Sequence, residues 1–266
     1  MKYQEIYLKD INNAIKTEAK LCCYIPDNFQ EYCQNRKRRA MLIIPGGAYT
    51  FVSEREAEPI ALRLIGEDIA SFVLKYTVGP YKDEKVPLLE AYTAILYIRQ
   101  NAENFHLDEN KIGAIGFSAG GHFASCLPLY SEEYLEILGC NKEDLKIDIA
   151  VLSYPVISMK KELTHLETRY NRTLEDEKLV RKYSIENYIN EDYPPTFIWC
   201  TAEDKLVPPL NSLILAQKLL ENKVEVELHM YPHGVHGLAL ANEITNVVEK
   251  DVQNWIIDAI RFIKNH

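Results

Sequence analysis

Glycine is scarce in this chain, with 11 residues in 266. There is no Gly/Ser linker, no low-complexity tract and no internal repeat, which excludes a tethered or repetitive architecture. Positive charge is not in excess either. The net charge of −9 argues against a general nucleic-acid binder, because neutralising phosphates needs clustered cations. The one basic run, Arg36-Lys37-Arg38-Arg39, reads as a solvated loop. No stretch approaches the roughly 18 uninterrupted apolar residues of a membrane helix. The opening segment MKYQEIYLKDINN alternates apolar and polar residues and lacks the apolar region of a secretory signal. The six cysteines, at 22, 23, 33, 126, 140 and 200, form no C-x-x-C pair. That usage reads as free thiols in a cytoplasmic protein. Without a secretion signal, the sequon Asn171-Arg172-Thr173 carries no weight.

The length suits a single α/β core, residues 1–266, better than two full domains. Short apolar runs alternate with helix-period segments. Strands are expected at 5–8, 18–25, 40–44, 70–76, 111–117, 149–154, 196–201 and 224–231. Several are apolar almost throughout, as strands covered on both faces are. Cys22 and Cys23, adjacent on one strand, should point to opposite faces. Ser53-Glu54-Arg55-Glu56 has the S-x-x-E form of a capping box and should open a helix running to about Gly66. Further helices are expected at 88–104, after Ser118 to about Leu127, from Pro208-Pro209 to about Asn222, and over 247–263. The alternation predicts an eight-stranded, mostly parallel sheet flanked by helices, with the first two strands antiparallel. About forty charged, tyrosine-rich residues interrupt the rhythm after the sixth strand. They are too many for a bare loop, so two or three short helices over the sheet's carboxyl edge are expected. This insertion, about 156–193, would form a small lid.

Where glycine does occur, it is concentrated. Seven of the eleven, at 46, 47, 116, 120, 121, 234 and 237, fall in three segments. Gly116-Phe117-Ser118-Ala119-Gly120 fits G-x-S-x-G, after an apolar strand and before a helix. A serine on such a turn is pushed out at the sheet's carboxyl edge, with the first helical N–H groups, starting at Ala119, aimed at the same spot. A phosphate loop is the competing reading, but neither G-K-[ST] nor G-x-G-x-x-G is present. A serine hydroxyl needs a base, and the base needs an orienting carboxylate. In this arrangement the acid and then the histidine follow the serine along the chain. The loop after the seventh strand offers Glu203 and Asp204, and Asp204, just before the Lys-Leu-Val-Pro turn, is preferred. A helix cap is its bland alternative. Among the late histidines, His229 sits in a strand pattern. His233 and His236 share the loop PHGVHGLAL, with His236 preferred and His233 the fallback. Their H-x-x-H spacing suits neither a zincin pair nor a cysteine-assisted site, so no metal and no cofactor is expected. The segment LIIPGGAYTF follows the third strand and offers the N–H groups of Gly47 and Ala48. With that of Ala119, these are candidate oxyanion donors.

Taken together, IIPGGAYTFVSEREAEPIA, FVLKYTVGP, GFSAGGH, TAEDKLVP and HGVHGLAL resemble the small α/β-hydrolase esterases over about residues 18–264. The likeness is to the acetyl-esterase and xylan-esterase-like branch, related to the feruloyl-esterase-like and hormone-sensitive-lipase-like groups. One departure is Pro45, where many relatives carry histidine. The resemblance implies Ser118, Asp204 and His236 as a catalytic triad. It also implies a small-molecule ester substrate, acetyl groups on xylose-type sugars. Tyr49, Tyr170, Tyr183 and Tyr188 offer sugar-stacking faces, with packing as their alternative role. The charged insertion predicts short acyl chains. An arylformamidase-like or prolyl-peptidase-like amidase, and a silent hydrolase fold that only binds a ligand, are the alternatives.

Overall fold

The expected strands form one twisted sheet in the structure, a computed structural model that describes residues 1–31 and 34–266. They are β1 (Lys2–Tyr7), β2 (Lys20–Ile25), β3 (Arg38–Ile44), β4 (Ala70–Lys75), β5 (Leu107–Phe117), β6 (Ala150–Ser153), β7 (Thr196–Thr201) and β8 (Val226–Tyr231). The order is β1-β2-β4-β3-β5-β6-β7-β8. The β1–β2 and β2–β4 pairings are antiparallel and the others parallel. The central strands are buried along their length, whereas β1 alternates exposed and half-buried residues at the edge. Cysteines 22, 23, 126, 140 and 200 are free thiols, and Cys33 lies outside the described residues.

Side-chain alternation sorts the core into two layers. Cys23, Leu42, Ile44 and Ala114 face one layer, and Cys22, Met41, Ile43 and Ile115 the other. The first layer packs on α2 (Val86–Gln100), α3 (Ala119–Tyr130) and α6 (Leu210–Glu221) through Leu88, Tyr92, Phe123, Leu215 and Leu219. The second packs on α1 (Glu58–Ile65) and α7 (Trp255–Asn265) through Ile60, Leu64, Ile256 and Ile260. Parallel strands need such crossovers, and helices on both faces make the strands apolar throughout.

Two local expectations fail for identifiable reasons. Residues 54–56 form a single 3-10 turn before α1, and Ser53 makes no side-chain cap. The Glu56 carboxylate turns inward instead of back to the Ser53 amide. Helix α7 begins at Trp255 rather than near 247, because the preceding turns are tied to the loop after β8. The Glu249 N–H and the Gln253 side chain both donate to the Ala241 carbonyl, at 3.0 and 2.9 Å.

The insertion carries α4 (Leu166–Thr173), α5 (Glu177–Lys182) and a 3-10 turn at Ile185–Asn187. Helix α4 is fastened over the end of β3. Asn171 Nδ2 donates to the Ala48 carbonyl at 3.0 Å and to Thr50 Oγ1 at 2.8 Å, and Thr50 donates to Glu167 at 2.9 Å. The buried Arg172 guanidinium stacks 3.6 Å from the Tyr183 ring centre and donates to the Glu84 carbonyl. Asn171, the sequon residue, is thus buried with its amide engaged.

Candidate active site

Ser118 joins β5 to α3 with φ 54° and ψ −118°, a conformation costing about 1–3 kcal/mol that its surroundings must impose. Those surroundings are backbone. The Ser118 N–H donates to the Ser153 carbonyl at 3.0 Å, and its carbonyl accepts from the amides of His122 and Val156, each at 3.1 Å. The first turn of α3 presses against the end of β3. A methyl group on Gly120 would stand 2.1 Å from the Ile44 carbonyl oxygen and 2.4 Å from that of Pro45. Only glycine permits this approach, which brings the Pro45-Gly46-Gly47-Ala48 loop beside Ser118.

Two loops from the far side of the sheet complete the group. The turn after β7 carries Asp204, and the loop after β8 carries His236. His236 Nε2 lies 2.7 Å from Ser118 Oγ, and its Nδ1 lies 2.6 Å from Asp204 Oδ2. The Asp204 side chain is 1% exposed and that of His236 12%. Asp204 Oδ1 accepts the N–H groups of Leu206 and Val207, both at 2.9 Å. The carboxylate therefore closes its own turn as well as meeting the imidazole. One oxygen thus closes the local turn and the other meets the imidazole, but Asp204 is not a helix cap: α6 starts at Leu210, with Pro209 at its cap position and no side-chain cap bond. Since the carboxylate only accepts, Nδ1 carries the imidazole proton and Nε2 faces the serine hydroxyl as acceptor.

His233 and Glu203 pair with each other at the surface, 3.0 Å apart, away from Ser118. His229 stays in β8, bonded to Glu227 at 2.7 Å and stacked on Phe197. His233 and His236 thus have different partners and do not converge as a ligand pair.

The loop after β3 is wound through left-handed positions at Gly47 (φ 121°), Ala48 (54°) and Tyr49 (59°). Among the described residues, no acceptor takes the N–H groups of Gly47, Ala48 or Ala119. Such a set of unfilled donors beside a serine is what an anionic oxygen needs. The Pro45–Gly46 peptide is gripped at both ends: Tyr76 donates to the Pro45 carbonyl at 2.8 Å, and the Gly46 N–H donates to Glu56 at 2.8 Å.

Several residues around the site are given no role by any motif. Tyr154 lies edge-on to His236, with ring centres 5.0 Å apart. Its burial, with Glu56 beside it, pushes the phenol pKa well up and keeps it a neutral donor. Trp255, from α7, donates to the Ala239 carbonyl at 2.8 Å and pins the loop that carries His236. His122 accepts from the Tyr49 hydroxyl at Nδ1 (2.7 Å) and donates from Nε2 to the Tyr183 carbonyl (2.9 Å). Burial drives its pKa down to about 3. Tyr49 and Tyr183 are buried in this bracket and present no stacking face, while Tyr170 and Tyr188 are exposed. Among the described residues, no helix is long and apolar enough to cross a membrane.

The family model for BD-FAE matches residues 24–219, a span that includes Ser118 and Asp204 and stops short of His236. Endo-1,4-beta-xylanase B of Butyrivibrio fibrisolvens is 34% identical over 83% of this chain and 36% of its own length. An acetylxylan esterase of Xylanibacter ruminicola is 27% identical over 92% of this chain and 49% of its own. The chain therefore spans less than half the length of these relatives. Among solved structures, an acetyl ester-xyloside bifunctional hydrolase from Caldicellulosiruptor lactoaceticus superposes with TM-score 0.84 at 34% identity, covering 98% of this chain and 96% of that one. A carboxylesterase from Lactobacillus plantarum gives 0.85 at 26% identity, covering 100% and 98%. These likenesses make the fold that of the α/β hydrolases, and the match over 24–219 settles the family: the chain belongs to the BD-FAE family.

Proposed function

We propose that the protein is a serine carboxylic-ester hydrolase that removes short acyl groups, acetyl above all, from carbohydrate esters of the xylo-oligosaccharide type. The observation that carries this reading is the Ser118–His236–Asp204 chain of 2.7 and 2.6 Å contacts beside three unfilled amides. Ser118 Oγ attacks the acyl carbon while His236 Nε2 takes its proton. The N–H groups of Gly47, Ala48 and Ala119 receive the negative charge on the former carbonyl oxygen. As the tetrahedral intermediate collapses, the acyl C–O bond breaks and His236 gives the proton to the departing sugar oxygen, which leaves as a hydroxyl; Asp204 stabilises the imidazolium between the two steps. Water, activated by His236, clears the acyl-enzyme. The acetylxylan esterase and the acetyl ester-xyloside hydrolase among the relatives support the sugar-acetate substrate.

In this reading the 156–193 insertion covers the site. Its fastening to the Ala48 carbonyl fits a small acyl group better than a long chain. Exposed Tyr170 and Tyr188 are the remaining sugar-stacking faces. The free thiols suit a cytoplasmic location. The test is acetate release from acetylated xylo-oligosaccharides beside p-nitrophenyl acetate. Both should be hydrolysed, two-carbon esters faster than ten-carbon ones, and Ser118→Ala should lower both rates by several orders of magnitude. Failure on both substrates, or full activity in Ser118→Ala, overturns the reading.

A further inference from the structure

Glu56 has no part in the proton transfers above, yet it is a carboxylate only 3% exposed within the second core layer. Removing a carboxylate from water is costly unless its oxygens are well bonded. Both are bonded, and to different loops. Oε2 accepts the Gly46 N–H at 2.8 Å and Oε1 accepts the Tyr154 hydroxyl at 2.7 Å. The same Tyr154 oxygen accepts the Ala239 N–H at 3.0 Å, three residues past His236, and the Tyr154 ring is the edge-on neighbour of the imidazole. Next door, the Arg55 guanidinium lies over Gly237: a methyl group there would stand 2.8 Å from Arg55 Nη2. The Ser53 N–H donates to the Gly46 carbonyl at 3.0 Å, so the turn at 53–56 holds Gly46 at both its amide and its carbonyl.

We propose that Glu56 is a positioning residue that ties the loop carrying the oxyanion donors to the loop carrying His236. This inference rests on the esterase reading above. With its N–H held by Glu56 and the Pro45 carbonyl held by Tyr76, the Pro45–Gly46 peptide cannot rotate. The Gly47 and Ala48 amides that follow are therefore presented in one orientation. Through Tyr154, the same carboxylate fixes the distance from that loop to His236. Both effects act on how the transition state is held rather than on how an ester first docks. Loss of Glu56 should therefore lower kcat and leave KM nearly unchanged.

The experiment measures kcat and KM on p-nitrophenyl acetate for the wild type, Ser118→Ala, Glu56→Gln, Glu56→Ala, Tyr154→Phe and the Glu56→Gln/Tyr154→Phe double variant. Rates of every protein that keeps Ser118 are normalised to Ser118 titrated by a fluorophosphonate, so that a misfolded fraction is not counted, and Ser118→Ala is normalised to total protein. Glu56→Gln keeps one acceptor for Gly46 and should lower kcat about tenfold. Glu56→Ala should lower it about a hundredfold, both with KM within about threefold of wild type. The double variant should lose less than the product of the two single losses, because both act through one chain of contacts. If Glu56→Ala does not fold, Glu56→Gln and the double variant decide. The proposal is overturned if every folded Glu56 variant keeps kcat per titrated serine within twofold of wild type, or if the losses multiply independently. A wild type without activity, or an active Ser118→Ala, instead overturns the esterase reading itself.

Discussion

His122, four residues after Ser118, and His236, in contact with it, have contrasting surroundings. His122 is fully buried, hydrogen-bonded to a phenol and a backbone carbonyl, with no carboxylate beside it. The loss of water on burial disfavours its protonation, and the Arg172 cation nearby adds to this, so its pKa falls to about 3. It is a fixed bracket between the loop after β3 and the insertion. His236 keeps a small opening to solvent and has an anionic partner on one nitrogen and a hydroxyl on the other. In the proposed mechanism it takes the serine proton without leaving these partners. An imidazole becomes a proton carrier when a carboxylate waits for the charge, and a strut when nothing does.

The largest effect expected from breaking this contrast is on His236. His236→Ala should lower kcat on aryl acetate by about 10³- to 10⁴-fold or more. Asp204→Asn, which presents an amide where the Nδ1 proton needs an acceptor, should cost a comparable factor. Steady-state kinetics with unchanged circular dichroism would check both. A loss below tenfold for either would remove the distinction between the two histidines.

His122 should act on stability instead. His122→Leu leaves the Tyr49 hydroxyl and Tyr183 carbonyl without their partner and should cost about 2–4 kcal/mol in urea unfolding. The pH dependence has a definite sign. The unfolded imidazole binds a proton below its ordinary 6.5, while the folded one stays neutral down to about 3. Stability is therefore fully present above 6.5 and falls by up to about 1.4 kcal/mol per pH unit as the pH drops toward 3. The groups facing His122 are Tyr49, Tyr183, Cys126 and Arg172, none of them a carboxylate. His122→Leu should flatten that part of the pH profile, and an unaltered slope would contradict the bracket.

Asn171→Ala tests the bracket from the insertion side. It removes the amide that holds the Ala48 carbonyl and Thr50, so a several-fold fall in kcat with about 1 kcal/mol of destabilisation is expected. The smallest effect belongs to His233→Ala. Its contact with Glu203 is exposed, so no measurable change in stability or activity is expected.

The sheet was legible in the sequence because parallel strands covered on both faces must be apolar throughout, and those runs stand out. Ser118 was legible because the strand–turn–helix that holds it is local and needs glycine at fixed offsets. Asp204 and His236 could be located because each follows its strand by only a few residues. What did not show is long-range. Glu56 reaches Tyr154 across 98 residues and Gly46 across ten, and Ser53-x-x-Glu56 reads locally as a helix cap. The His122 bracket spans 73 residues to Tyr49 and 61 to Tyr183. Nothing in GFSAGGH marks that histidine as a strut. The late start of α7 comes from the same source, since its preceding turns are bonded to the His236 loop rather than to a helix.

In the proposed mechanism His236 makes Ser118 a nucleophile. Intact and peptide mass measurement after brief exposure to a fluorophosphonate reads this on the serine itself. One phosphonyl group on Ser118 in the wild type is predicted, with labelling slowed by orders of magnitude in His236→Ala and unchanged in His233→Ala. An unlabelled wild type, a label on another residue, or equally fast labelling in His236→Ala would contradict it.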